Sequence, residues 1–597
     1  MDSGEPQQLG DFTTQPSIMK LVPLACGIGV LATAVALVLI DLIGLCTNIL
    51  YYHRLGTALV SPDRNHLGIA AVAIPVVGGL LVGLIARYGS EQVRGHGIPE
   101  AMERILFNRS RVQPRLAILK PISSAISIGT GGPFGAEGPI ILTGGAVGSI
   151  VGQMFRLTGI ERRSLLVAGA AAGMSAVFGT PVAATLFGVE LLAFEFKPRS
   201  IFLIGVAAVV ADTLRLILAA HHMMAPQPLF PVLGHDSVAP VTVLGAAVMG
   251  ILGGGAAWVM TQAVYRSEDL FLKLTGRLHW MWWPMIGGLV IGAGGLLDSR
   301  ALGVGYDTIH LELLGQLGVG ALLLLIAVKL VIWSVGLGSG TSGGILAPLL
   351  IMGAALGGIV GHALPGGSPG MWALIGMAAA LSGVTRSPFT AVVFAFELTH
   401  DVGSLLPLLA ASLLAYLVSA LILKRSILTE KVARRGFHVM REYAVDPFDV
   451  TQVKDVMRTV PACQLDMPLR DAWEMVREGA LGRAWTVLPV VDVDGHAVGV
   501  VDVVAIAAQQ DLDSGTVAEV ARDAEKRVPE NMLLRDVAHY LLAWHGSEVI
   551  VTDSDGRMEG VVTRGDLLEA RREFYTEEYA SEQVLTLQRI AGMSFGS

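Results

Sequence analysis

GTGGPFGAEGP, from Gly129 to Pro139, places a single carboxylate, Glu137, inside a glycine-rich opening to an apolar helix. GSGTSGGILAP, from Gly338 to Pro348, repeats that framework 209 residues later, with Gly129 over Gly338, Gly131 over Gly340, Gly135 over Gly344 and Pro139 over Pro348. The duplicate carries Leu346 where the first copy carries Glu137. Glycines expose backbone N–H groups, and the first turn of a helix concentrates partial positive charge. Two such openings facing each other make an anion site.

The composition says where that site sits. Of the 597 residues, 53% are hydrophobic and 15% charged, and the mean hydropathy is +0.61. A soluble protein of this size is excluded, and the chain reads as an integral membrane protein. Its 72 glycines with only 6% aromatic residues suit transmembrane helices whose backbones approach closely. Residues 1–16 are polar without a basic region, and the first apolar block, Ile18 to Leu50, is far longer than a signal-peptide core. No cleaved signal is expected. Cys26, Cys46 and Cys463 have no metal-like spacing and read as small apolar fillers. A net charge of −8 argues against a nucleic-acid role.

Apolar blocks fill residues 18–423, but Leu116–Ile128 and Ile140–Met154 are short for a hydrocarbon core of ~30 Å. Short, Gly/Pro-interrupted segments at matching places in two halves indicate discontinuous helices. A second repeat supports the duplication: residues 168–191, AGAAAGMSAVFGTPVAATLFGVEL, match 375–398, IGMAAALSGVTRSPFTAVVFAFEL, with Pro181 over Pro388 and Glu190 over Glu397. Similarity alone does not orient the halves; an inverted pair is expected, as the usual transporter solution. After Lys424 the run KRSILTEKVARRG is basic and reads as cytoplasmic. Residues 450–570 then alternate short β-branched strands with amphipathic helices around the turns DVDG and DSDG, giving two βαββα units.

The expected fold is thus an all-α polytopic membrane domain with an inverted internal repeat and discontinuous helices, followed by a cytoplasmic α/β pair. Its parts are an N-terminal segment 1–17, a membrane domain 18–435 with halves near 18–220 and 240–425, a linker 436–449, units 450–510 and 511–572, and a tail 573–597.

GHGIPE (Gly95–Glu100) resembles the GSGIP element of the CLC family of chloride channels and proton-coupled chloride transporters. GAEGP (Gly135–Pro139) resembles its GREGP element, and GGILAP (Gly343–Pro348) its GGIFAP element. The tail resembles a CBS domain pair. The resemblance implies a homodimer in the inner (plasma) membrane, with one anion pathway per subunit and with both termini and the CBS domains cytoplasmic. It makes Glu137 the external gating glutamate, and it makes His96, Gly97, Ile98, Gly135, Ala136, Glu137, Ile345, Leu346 and Leu428 the anion-binding residues. Lys120, in LKP, aligns with a lysine near the pathway; a helix-end lysine snorkelling to the interface is the competing reading. No cofactor is required, and the substrate is chloride or another small anion. In GVVTRGD (Gly560–Asp566), Thr563 and Asp566 match a CBS nucleotide motif that GVVDVVA (Gly499–Ala505) lacks. At most one adenine-nucleotide site follows, and a purely structural pair is preferred.

Departures from the family pattern bear on mechanism. His96 stands where most chloride-conducting members have a serine, either facing the anion or turned to a backbone carbonyl. Leu428 stands where a tyrosine is common, and Ala136 replaces an arginine. Family exchangers often carry an internal glutamate directly after the position of Glu190; here it is Leu191, and the next acid is Glu195. Glu190 and Glu397 read as structural carboxylates on neighbouring helix ends. Ionised, Glu137 can occupy an anion position; protonated, it can swing away. Burial favours the neutral acid and the N–H-rich surroundings the carboxylate. Channel-like conduction gated by Glu137 is preferred, with a proton-coupled chloride antiporter as the alternative and a CBS-based sensor without transport as a further one. No metalloprotease motif or nucleophile–base set supports an enzyme.

Overall fold

The computed structural model describes residues 16–106, 110, 112–193, 196–232, 238–274, 278–435, 448, 451–479, 487–509, 511–513, 515–523, 527–543 and 548–579. Most of the expected N-terminal segment, linker and tail, and Glu195, lie outside them. The chain divides into two compact units, 1–441 and 442–597.

The first unit is helical. Its first half runs α1 (Val22–Tyr52), α2 (Ala73–Tyr88), α3 (Ile98–Leu106), α4 (Pro114–Gly129), α5 (Glu137–Met154), α6 (Gly159–Phe178), α7 (Pro181–Phe187, continued by a π-helical turn Gly188–Ala193) and α8 (Pro198–Ala220). Its second half runs α9 (Pro240–Lys273), α10 (Trp283–Leu297), α11 (Tyr306–Leu313), α12 (Val319–Gly338), α13 (Leu346–Gly361), α14 (Pro369–Thr385), α15 (Pro388–Thr399) and α16 (Leu405–Ile422), and α17 (Ile427–Arg434) follows. Each helix of the first half has its mate eight helices later. Among the described residues, seven helical segments are long and apolar enough to cross a membrane, while α13, α14, α15 and the α7 segment are shorter apolar pieces.

Packing settles the orientation of the halves. The mates α2 and α10 lie side by side and run antiparallel: a Cβ on Gly79 would overlap the Pro284 carbonyl, and one on Gly288 the Pro75 carbonyl. Because Pro75 and Pro284 are themselves repeat mates, the contact is reciprocal, as a two-fold lying across the helices demands. Two carboxylates, Glu397 buried and Glu190 half-buried, obey the same symmetry. Glu397 on α15 accepts from the Val182 and Ala183 N–H groups that open α7, at 3.0 and 2.8 Å. Glu190 accepts from the Thr390 N–H that opens α15, at 2.9 Å. Each half thus supplies the acid that caps the other's helix start, satisfying donors left orphaned in the apolar interior. The halves are therefore an inverted repeat.

The second unit holds α18 (Val453–Val456), α19 (Leu469–Gly479), α20 (Val503–Ala507), α21 (Leu534–Ala543) and α22 (Arg564–Tyr579) around two small sheets. In one, β1 (Cys463–Gln464) pairs parallel with β2 (Val487–Val491), which pairs antiparallel with β3 (Ala497–Asp502) and then β4 (Arg522–Asp523). In the other, β5 (Arg527–Pro529), β6 (Glu548–Thr552) and β7 (Met558–Thr563) repeat the parallel-then-antiparallel order. Val490 opposite Gly499 and Val551 opposite Gly560 are the equivalent pairs, so the duplication extends to register. Cys463 is fully buried, and burial pushes its thiol up to about 11, which suits an inert filler.

Candidate anion-binding site

Three helix starts meet at Glu137. The loop before α5 and the loop before α13 pair antiparallel, with Gly344 N–H donating to the Gly135 carbonyl at 2.8 Å and Gly135 N–H to the Gly344 carbonyl at 3.3 Å. The loop before α3 joins in parallel, with Gly95 N–H donating to the Thr341 carbonyl at 3.2 Å. Only glycine permits this approach at Gly138, where a Cβ would overlap the His96 carbonyl oxygen and sit 2.9 Å from the Gly344 Cα. The glycine frameworks of the two halves thus face each other.

Glu137 is the first residue of α5 and has no solvent exposure. Its Oε1 accepts from the Ala347 N–H in the first turn of α13 at 2.5 Å, and the Leu346 N–H also faces the carboxylate. Oε2 has no hydrogen-bond partner among the described residues. The carboxylate folds back over Gly135, where a Cβ would occupy its place. An acid of one half therefore sits on N–H groups opened by the other, where an anion of similar size could sit instead. Ile345 and Leu346 are buried beside it.

The remaining expected residues are distributed as follows. Ile98 opens α3, but the Gly97 N–H donates to Glu100 Oε2 at 2.9 Å and is not a spare donor. Ala136 is buried directly before Glu137. His96 is 2% exposed and its Nδ1 has no partner, so the ring is not tied to a carbonyl through that atom. Leu428 is buried in the first turn of α17, which packs against α3, and the Tyr265 hydroxyl holds that turn by donating to the Ile427 carbonyl. Lys120 does not snorkel: it is fully buried and donates to the Val93 and Gly95 carbonyls at 2.8 and 2.7 Å, fixing the loop before α3.

The structure adds residues that the sequence reading passed over. Lys329 lies 209 residues after Lys120, is equally buried, and donates to the Ala301 carbonyl at 2.8 Å. It also lies within coulombic reach of Glu137. The repeat register alone could have found it. Glu100, inside the GHGIPE motif, pairs with Arg435 at 2.8 Å, and Arg435 also reaches Glu103 at 2.6 Å. These groups, with Arg94 and Lys431, line a cavity of about 730 Å³ that reaches Gly95.

In the second unit, Thr563 and Asp566 lie together, but they bond each other: the Thr563 hydroxyl donates to Asp566 Oδ2 at 2.7 Å, and the Asp566 N–H donates back to Thr563 Oγ1 at 3.2 Å. Arg458 ion-pairs with Asp566 as well. The pair caps α22.

Comparison with known proteins bears on the family and the fold. The profile of the voltage gated chloride channel family matches residues 78–420, and that of the CBS domain matches 453–508 and 517–573. The H(+)/Cl(-) exchange transporter ClcA of Yersinia pestis bv. Antiqua (strain Angola) is 31% identical over 367 residues, 59% of this chain and 76% of the relative. Its namesake from Salmonella arizonae (strain ATCC BAA-731 / CDC346-86 / RSK2980) is 32% identical over 382 residues, 62% and 79% of the two chains. Among solved structures, a slow cyanobacterial Cl-/H+ antiporter superposes with a TM-score of 0.59 at 21% identity, over 71% of this chain and 99% of that one. A eukaryotic CLC transporter gives a TM-score of 0.57 at 20% identity, over 92% and 98%. A CLC-type fluoride/proton antiporter gives 0.59 at 21%, over 70% and 98%. The chain therefore belongs to the voltage-gated chloride channel (CLC) family of multi-pass anion-transport proteins, with a CBS domain pair behind its membrane unit.

Proposed function

We propose that this protein exchanges a small anion, chloride first, for protons across the membrane. Glu137 is the group that both blocks the anion path and carries the proton. The observation that carries this reading is the Glu137 carboxylate seated on the Ala347 N–H at 2.5 Å. An acid held on donors of that kind competes with an anion when ionised and releases the position when protonated, so proton uptake and anion entry are linked. The names of the ClcA relatives, exchange transporters at 31% and 32% identity, favour this over the channel-like conduction preferred from the sequence.

Ile345 and Leu346 present the α13 start to the anion, Gly135 and Ala136 present the α5 start, and His96 and Ile98 bring the α3 start. Gly97 shapes that last loop, Lys120 fixes it, and Leu428 closes the path from α17. The pathway is complete in one chain and is expected to work within a homodimer, in an inner (plasma) membrane, with both termini and the CBS pair on the cytoplasmic side. Thr563 and Asp566 would have to exchange their mutual bonds for an adenine nucleotide, so a structural role for the CBS pair is preferred.

One observation favours passive conduction: Leu191, where family exchangers often carry an acid, is apolar and fully buried. Liposomes loaded with chloride and bearing a pH gradient separate the two. The exchanger moves its reversal potential with pH and loses that dependence in Glu137→Gln, while anion flux persists. A native reversal potential that follows the chloride gradient alone establishes the passive reading instead.

A further inference from the structure

Inverted repetition places a second glycine-opened helix start on the far side of Glu137 from α3. Gly95 and Gly97 before α3 have mates in Gly303 and Gly305 before α11, and all four carry positive φ, at 87°, 90°, 64° and 80°. The Leu59–Pro62 stretch between α1 and α2 meets the Gly303–Tyr306 loop, whereas Glu91–Gly95 beyond the other end of α2 lines the charged cavity. The two openings therefore belong to opposite faces of the membrane unit. They are also finished differently. The α3 start carries the Glu100 carboxylate on its Gly97 N–H. The α11 start has no side-chain cap, and Thr308, in the place of Glu100, turns its hydroxyl to the Arg300 carbonyl at 3.2 Å.

Within coulombic reach of this uncapped start lies a buried cation with donors to spare. Arg215, on α8, is 1% exposed, and its Nε and Nη1 have no hydrogen-bond partner among the described residues. Asp212, one turn earlier, is within coulombic reach of Arg215 but takes its hydrogen bond from Gln227 Nε2 at 2.6 Å. The Tyr306 hydroxyl, on the first residue of α11, likewise has no partner. Tyr306 lies within coulombic reach of both Arg215 and Glu137. Its ring is held edge-on to Phe178 and Phe230, with centroids 6.1 and 5.9 Å apart, and Phe394 backs Phe178 at 5.1 Å. Unpartnered donors in apolar surroundings are costly, and those on a guanidinium most of all.

We propose that a small monovalent anion docks between the Arg215 guanidinium and the Tyr306 hydroxyl at the start of α11, as a station between the α1–α2 face and Glu137. The inference rests on the anion-pathway reading above and adds a site to it. Two guanidinium N–H groups, one hydroxyl and a helix start suit a halide-sized ion.

The test is initial chloride flux from proteoliposomes at varied chloride concentration, for native protein, Arg215→Gln, Arg215→Lys and Tyr306→Phe. Loss of a charge-assisted bond predicts a half-saturating chloride concentration about ten-fold higher in Arg215→Gln, and loss of a neutral one about three-fold higher in Tyr306→Phe. Arg215→Lys falls between native and Arg215→Gln, and maximal flux stays within about two-fold throughout. Should Arg215→Gln fail to fold, Tyr306→Phe decides, since it keeps the ring packing. Unchanged half-saturation in the folded variants, or a fall in maximal flux alone, overturns the docking site. A native protein that moves no anion overturns the pathway reading itself.

Discussion

Seating a carboxylate on N–H groups that an anion would use makes the two competitors, and the competition has a size. The Glu137 Oε1 to Ala347 N–H bond, at 2.5 Å in a site with no solvent exposure, is a charge-assisted bond worth about 1.5–3 kcal/mol, against about 0.5–1.5 for a neutral acceptor. Glu137→Gln keeps the shape and removes the charge, so the anion displaces a weaker occupant by about 1–1.5 kcal/mol. Chloride affinity is then expected to rise about five- to ten-fold from this bond alone, and up to about 100-fold if the Leu346 N–H contributes equally. Glu137→Asp keeps the charge but draws it back by one methylene from Ala347, so it should fall between the two. Calorimetric titration of chloride into the detergent-solubilised full chain reads all three. Equal affinity in native protein and Glu137→Gln, both unfolding cooperatively, would refute the competition, because the carboxylate would then not occupy an anion position.

Other predictions address the scaffold around that site. Glu397→Gln leaves one acceptor oxygen for the two N–H groups of the α7 start, so one hydrogen bond is lost and the other weakened, and stability should fall by about 2–4 kcal/mol, seen as an earlier thermal unfolding transition; an unchanged transition would mean the cap is dispensable. Gly138→Ala forces a Cβ against the His96 carbonyl and the Gly344 Cα. That overpacking should cost about 1–3 kcal/mol and cut chloride flux more than ten-fold as the helix starts are pushed apart, measured by melting and liposome flux on one preparation. Thr563→Val removes the reciprocal cap of α22 and should cost about 1 kcal/mol, read as faster amide exchange from 564–572 in the full chain.

Much of the fold was legible because duplication is written in the one-letter code. Gly135 over Gly344 and Glu190 over Glu397 need no structure to align, and once the halves invert, the reciprocal capping of α7 and α15 follows from that alignment. Other features depend on chain distant in sequence and left little local trace. Arg215 sits in an apolar block where a lone arginine reads as snorkelling; its burial emerges only when α8 packs against α1, α6 and α7. Phe178 and Phe394 lie in the two copies of the second repeat but at non-equivalent positions, and Phe230 and Tyr306 lie outside it, so no local pattern announces their cluster. Glu100 lay in view inside GHGIPE, yet its bond to Gly97, which withdraws an N–H expected for the anion, depends on side-chain direction. The preference for passive conduction rested on Leu191 alone. A proton route can run through water and other side chains, so one apolar position has little power to decide it.

The difference between the two halves at Glu137 and Leu346 has a physical logic of its own. A strict duplicate would place a second carboxylate at the α13 start, within a few ångströms of the first. Two such charges about 4 Å apart repel by ~4 kcal/mol even at an effective dielectric constant of 20, and one would have to stay protonated. With leucine at 346, the N–H groups of that turn have no acid of their own and are left to Glu137. One substitution thus turns a symmetric pair of helix starts into a tethered acid and its receptor, the arrangement that the proposed exchange of a proton for an anion requires. The same asymmetry recurs one layer out, where Glu100 fills the α3 start and the α11 start stays uncapped within coulombic reach of Arg215. An anion entering from the α1–α2 face would then pass a cation with spare donors before it met the acid. From the opposite face it would cross a cavity where Glu100 is already neutralised by Arg435. The inverted scaffold gives both faces the same backbone plan, and the side chains at its mated positions make the two faces chemically different.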